Sequence, residues 1–195
     1  MRLLFLAMTR LRALLLGLPV MALLALGGAA AWADQTDPRL DGLFKQLKAT
    51  KDDAEARGLE SEIWAIWGRS DSEDVNQLME VGSLAMAGQK FDIALKAFNR
   101  IIELAPNFAE GWYKRATLHY LMGNYPASLA DIKRTLELEP RHFGALAGLG
   151  LVNVELDHDE AALAAFERAL AVDPHLDSAA KNAETLRERI KQRQI

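Results

Sequence analysis

The sequence predicts an all-α fold, an α-α superhelix of stacked helical hairpins, and three observations predict it. First, Pro106, Pro140 and Pro174 stand 34 residues apart, each interrupting an otherwise helical pattern. Proline lacks a backbone donor and pushes its predecessor out of the helical region, so a helix stops before each one. Second, residue size follows the same period. Small residues recur at Gly82, Ala116 and Gly150 and at Ala94, Ser128 and Ala162, while Phe98, Ile132 and Phe166 are large and apolar. Third, the bulky positions keep step: Leu95, Leu129 and Leu163; Ile102, Leu136 and Leu170; Leu78, Trp112 and Leu146. A fixed period of this size marks units that bury their apolar faces only by stacking on neighbours.

Residues 1–33 read as a secretory signal peptide, not as part of the fold. Arg2, Arg10 and Arg12 give a basic start, Ala13–Leu26 is an uncharged apolar run, and Ala31-Trp32-Ala33 is a small-residue cleavage site. Cleavage after Ala33 and a secreted or periplasmic product are expected. The apolar run is short for a membrane span and is broken by Gly17 and Pro19; an uncleaved anchor is the alternative.

Residues 34–74 read as two helices. Shifted by 34 residues, Phe44 falls on Leu78, Leu47 on Val81, Trp64 on Phe98 and Trp67 on Ile101. Glu60 falls on Ala94, however, and no proline stands opposite Pro106. The segment is expected to be a degenerate hairpin capping the N-terminal end of the stack. A separate interaction segment built on Trp64 and Trp67 is the alternative, because paired tryptophans can anchor interfaces.

Residues 75–174 hold three clear units, 75–108, 109–142 and 143–174. In the middle one, AEGWYKRATLHYL places Trp112, Ala116 and His119 at helical spacing, and Gly123 breaks the pattern. YPASLADIKRTLEL then restarts with Pro126 near its first position, where a missing N–H costs little, and Leu129, Ile132 and Leu136 share a face. Each such helix is about 13 residues, or about 20 Å, long. Residues 175–195 read as one amphipathic capping helix. Its stripe is Leu176, Ala179, Ala180, Ala183, Leu186 and Ile190, with Lys181, Arg187, Glu188 and Lys191 outside and fraying expected after Ile190.

The pattern resembles the tetratricopeptide repeat, whose signature is W-x2-L-G-x2-Y, A-x3-F and a final proline. Trp112, Ala116, Ser128, Ile132 and Pro140 carry the match in the middle unit. Leu146, Leu149, Gly150, Ala162, Phe166, Ala169 and Pro174 carry it in the last, and Leu78, Gly82, Ala94, Phe98 and Pro106 in the first. Three positions depart: Arg115 stands where leucine is usual, His119 where tyrosine is usual, and Gly88 falls one residue early. The resemblance implies a right-handed solenoid.

Catalytic chemistry has little to rest on. The chain has 195 residues, half of them hydrophobic, and no cysteine, which excludes disulfides, thiolate metal sites and cysteine nucleophiles. His119, His142, His158 and His175 show no metal-ligand spacing, and solvent-exposed loop histidines are expected. GLGLVN, from Gly148 to Asn153, lacks the preceding strand that a phosphate-binding glycine loop needs, so helix packing explains it better. Without its three N-terminal arginines, the chain from Asp34 carries 27 acidic residues and a net charge of −7, which argues against a nucleic-acid surface. No enzyme activity, cofactor, metal or small-molecule substrate is expected, and membrane contact only through an uncleaved signal anchor.

The resemblance implies that the first helices of successive repeats line a concave groove for a peptide or partner helix. On that face fall Asn76, Met79, Ser83 and Met86, then Tyr113, Thr117 and Tyr120, then Ala147, Leu151 and Val154. Methionine adapts to varied shapes, and tyrosine offers area plus a hydroxyl. The set lacks the lysine- and asparagine-rich clamp that seizes a carboxylate tail. The expected function is a non-catalytic protein-interaction module of the cell envelope; the alternative is a self-associating scaffold.

Overall fold

The structure, a computed structural model, describes residues 34–193. The signal-peptide reading of residues 1–33 therefore lies outside the described residues. Those described form nine α-helices and no strand: α1 (Arg39–Ala49), α2 (Asp53–Trp67), α3 (Glu73–Ala87), α4 (Phe91–Leu104), α5 (Ala109–Leu121), α6 (Tyr125–Leu138), α7 (Phe143–Glu155), α8 (Asp159–Val172) and α9 (Asp177–Arg193). Pro106, Pro140 and Pro174 fall in the turns after α4, α6 and α8, between one hairpin and the next. Side chains fix several starts: Ser72 accepts from Val75 N at α3, and Asn124 from Ala127 N at α6.

The periodic residues make the hairpin cores. A Cβ on Gly82 would meet the Phe98 ring, and one on Gly150 the Phe166 ring, so glycine lets a phenylalanine cross the hairpin. In the middle hairpin Ala116 faces the smaller Ile132, and the Ser128 hydroxyl donates to the Ala116 carbonyl at 2.9 Å. Ala94, Ser128 and Ala162 are all fully buried.

Helix α9 closes the C-terminal end by burying Ala179, Ala183 and Leu186 against Ala162 and Phe166. Two details correct the sequence reading. Ala180 is exposed, one step off the buried stripe. The helix runs past Ile190 to Arg193, held because Arg189 and Arg193 both pair with the buried Asp159, at 2.9 and 2.8 Å.

The larger correction concerns α1 and α2. This hairpin does not cap the N-terminal end of the stack; its core contains no residue of α3 or α4. Together with the residues before α1, it lies as a strap across the three inter-hairpin turns instead. At the first turn, Gln35 donates to the Asn107 carbonyl at 2.6 Å and accepts from Ala109 N at 3.1 Å. At the second, Arg141 pairs with Asp41 at 2.6 Å and covers the Phe44 ring at 4.5 Å. At the third, the His175 ring nitrogens lie 3.3 Å from Asp53 Oδ1 and from the Thr50 carbonyl oxygen. Leu40, Leu43, Phe44, Leu47, Ile63, Ile66, Trp67 and Phe143 fill the space beneath, with Val172 and Leu176 at the edge.

The strap also decides two other readings. Trp67 is buried and Trp64 packs on Phe143, so the pair belongs to the core, as the hairpin reading expects, and the alternative of a separate interaction segment falls away. His142 is no exposed loop histidine: its side chain is fully buried and stacks on the Trp67 indole at 4.3 Å and 9°. Its Nδ1 accepts from Ala145 N, capping α7, which leaves the proton on Nε2, 3.1 Å from Glu110 Oε2. His119 and His175 are half-buried as well, and only His158 is exposed.

Candidate interaction groove

Helices α5 and α7 run side by side, and their facing surfaces differ in bulk. On α5, Tyr113, Thr117 and Tyr120 sit four and three residues apart and so share one face. On α7 the facing positions are Gly144, Ala147, Gly148 and Leu151, where three of four side chains are a hydrogen or a methyl. Large residues opposite small ones leave a cavity of about 180 Å³. Its floor is Ala116, Ser128, Ile132 and Val152. A Cβ on Gly148 would meet nothing closer than Ile132 Cδ1 at 3.7 Å, so this glycine creates open space and does not relieve a clash.

One end of the groove is shut by the strap. A Cβ on Gly144 would lie 2.5 Å from the Trp64 ring and 2.9 Å from the Tyr113 hydroxyl. The Trp64 and Tyr113 rings are 5.7 Å apart. Burial, with the Glu110 carboxylate nearby, pushes the Tyr113 phenol up to about 12, so this hydroxyl stays protonated. The Thr117 hydroxyl is spent on the Tyr113 carbonyl at 3.0 Å.

The other end is polar. Glu155, the last residue of α7, accepts from the Tyr125 hydroxyl at 3.0 Å and from the Tyr120 hydroxyl at 3.4 Å. Burial and this carboxylate raise the Tyr120 phenol above its ordinary value.

Five of the ten residues expected in the groove therefore gather at this cavity: Tyr113, Thr117, Tyr120, Ala147 and Leu151. The others are placed elsewhere. Asn76 binds the Ser70 backbone with both ends of its amide, each at 2.8 Å, and pins the loop before α3. Met79 is buried and Met86 half-buried in the core of the first hairpin. Val154 packs against the α8–α9 core. Ser83 is half-buried on α3, outside the cavity wall. Helical spacing selects the right face of a helix but not how much of it the neighbouring hairpin covers.

Sequence reasoning missed Gly144, Gly148, Tyr125 and Glu155. Helix packing, the sequence's explanation for the GLGLVN stretch, holds for Gly150 but is corrected at Gly148, where a Cβ would find open space and not a neighbouring ring. Among the described residues, no cluster of three or more histidine, aspartate or glutamate side chains is arranged to hold a metal ion.

Comparison with known proteins gives a consistent picture. A family profile described as "Tetratricopeptide repeat" matches residues 81–128 and 113–183. A TPR repeat-containing protein of Rhizobium etli is 38% identical over 152 residues, which cover 78% of this chain and 74% of the relative. The small glutamine-rich tetratricopeptide repeat-containing protein 2 of Mycosarcoma maydis is 26% identical over 53% of this chain, a match spanning 30% of that longer protein. Among solved structures, the first TPR of Spaghetti (RPAP3) bound to the HSP90 peptide SRMEEVD is similar with a TM-score of 0.60. It is 19% identical, and the match covers 62% of this chain and 96% of that one. MamA is similar with a TM-score of 0.58 and 18% identity, over 77% of this chain and 86% of its own.

Proposed function

Because the chain belongs to the tetratricopeptide repeat family, we propose that it is a non-catalytic protein-interaction module that docks a partner peptide or helix between α5 and α7. The observation that carries this reading is the apolar cavity of about 180 Å³ walled by Tyr113, Thr117, Tyr120, Ala147 and Leu151. It is concave, mostly apolar and edged by a few polar groups, as recognition sites generally are. The similar Spaghetti domain holds a peptide, which supports the same use of this fold here. Gly148→Leu tests it, since the side chain fills the cavity from a position with room for it. The variant is expected to melt no lower than the parent and to lose peptides selected on the parent. Unchanged binding would refute docking in the cavity.

The setting we infer is the secreted or periplasmic compartment, on the strength of the basic, apolar and small-residue pattern of residues 1–33. Edman sequencing of the exported protein should begin at Asp34; an intact Met1 on membrane-bound material would reverse this inference.

A second reading, a self-associating scaffold, has one specific observation behind it. Leu84 is 67% exposed, whereas Leu118 and Val152, its counterparts 34 and 68 residues on, are 0% and 1% exposed beneath the preceding hairpin. With α1 and α2 lying elsewhere, Val81, Leu84 and Leu104 form an uncovered end face that a second copy could bury. Light scattering decides this. A mass that stays monomeric at every concentration, or that ignores Leu84→Glu, removes the scaffold reading.

A further inference from the structure

The docking reading above leaves open what kind of peptide fits, and this inference rests on that reading. The cavity wall itself carries no charged side chain. What polar character the groove has is arranged asymmetrically along it. At the strap end, Lys114 is already committed: its Nζ lies 3.2 Å from Glu110 Oε1 and 5.8 Å above the Tyr113 ring. Glu110 in turn meets His142 Nε2. A carboxylate arriving here finds a cation that is already paired and a wall closed by Trp64.

At the open end the charge is of the other sign, and it touches the groove through the Tyr120 hydroxyl. Glu155 is exposed, yet both its oxygens are oriented by phenol hydroxyls, one of them from the cavity-lining Tyr120. Each carboxylate oxygen keeps a lone pair beyond the bond it accepts, so an incoming N–H donor can be received without breaking either phenol contact. Leu151 and Glu155 lie one turn apart on α7, about 6 Å along the axis. In an extended peptide, residues i and i+2 point the same way and lie about 6.6 Å apart. The two spacings agree.

We propose that the groove selects a peptide with a bulky aliphatic or aromatic side chain for the cavity and a lysine or arginine two residues away for Glu155. This is the reverse of an acidic tail such as SRMEEVD, held by the similar Spaghetti domain. The net charge of −7 from Asp34 onward favours the same class of ligand at long range.

The experiment is a display library of dodecapeptides with one fixed leucine and randomised flanks, sorted on the purified protein and on two variants. On the parent, lysine and arginine should be enriched about two- to fivefold at the position two away from the leucine, the effect of one exposed ion pair. Glu155→Lys should exchange that preference for aspartate and glutamate, and Gly148→Leu should enrich nothing. Enrichment of acidic or neutral residues on the parent, or a cationic preference that survives Glu155→Lys, overturns this inference while the docking reading stands. Equal enrichment on the parent and on Gly148→Leu overturns the docking reading, and this inference with it.

Discussion

Gly150 of α7 cedes its side-chain space to Phe166 of α8: a Cβ at position 150 would lie 2.6 Å from the ring. The first hairpin repeats the pairing with Gly82 and Phe98, while the middle one substitutes Ala116 and Ile132. The two partners therefore vary together, glycine with a ring and alanine with a branched aliphatic. Gly150→Ala should destabilise the protein by up to about 2 kcal/mol, since overpacking costs about 1–3 kcal/mol and helix propensity returns about 1 kcal/mol of it. Adding Phe166→Ile should cost less on that background than in the parent. Thermal melts of the four proteins measure the coupling, and strictly additive effects would refute it.

Arg115 explains one departure from the family pattern. Its guanidinium grips both oxygens of Asp131 at 2.8 Å and donates a third bond to Asn99 at 2.8 Å, tying α4, α5 and α6 together. Asp131 is buried, so restoring the usual leucine with Arg115→Leu would strand a carboxylate. The expected loss is about 3–5 kcal/mol, with much of it recovered by Arg115→Leu combined with Asp131→Leu. Denaturant unfolding that found the double variant as weak as the single one would contradict this account.

Gln89 explains another. The left-handed residue after the first helix of each of the three repeat hairpins is Gln89 at φ 57°, Gly123 at φ 71° and Asp157 at φ 57°. Gly88 is not in this position; its φ is −82°. The glycine that stands one residue early thus leaves an ordinary L-residue in the strained conformation. Gln89→Gly should raise the melting temperature by about 2–4 °C, corresponding to about 1 kcal/mol of relieved strain. A lower melt would show that the side chain supports the turn in some other way.

His119 supplies a pH dependence. Burial holds its pKa below the ordinary histidine value, with Arg115 adding to the effect and Asp131 opposing it. The folded protein thus resists a proton that the unfolded chain accepts. This contribution to stability is complete above the ordinary histidine value, is lost as pH falls from there through the lowered folded value, and is constant below it. Melting temperatures from about pH 7 to pH 5 should fall more steeply for the parent than for His119→Gln. Parallel curves would remove His119 from the account.

The sequence disclosed the three hairpins because their contacts recur at a fixed separation, so each size pattern is written three times. It disclosed half of the groove because Tyr113, Thr117 and Tyr120 follow from helical spacing on one helix. Glu155 and Tyr125 were hidden because their contact joins residues 30 apart through a geometry that only the assembled hairpins create. The strap was hidden for a deeper reason. Pro38, 68 residues before Pro106, keeps the repeat phase, and the apolar stripes of α1 and α2 are plain. Those stripes state that something must be covered, not which surface covers it. Leu84, exposed where its counterparts are buried, is the cost of the alternative placement.

The same placement gives the most discriminating prediction. Trp67 joins the strap to the second turn: it stacks on His142, whose ring also caps α7 through Ala145 N and reaches the buried Glu110. Trp67→Ala should cost about 3–5 kcal/mol by the usual measure of a large buried ring. The loss should be local, because the hairpin cores of α3 to α9 contain no strap side chain apart from the shared contacts at the turns. Hydrogen exchange should quicken in α1, α2 and the first turns of α5 and α7, while the α3–α4 hairpin keeps its protection. If the hairpin were instead an end cap, the same substitution would loosen α3 and α4 first and leave α7 protected. That opposite pattern would return α1 and α2 to the end of the stack, and would reopen the end of the groove that Trp64 now closes.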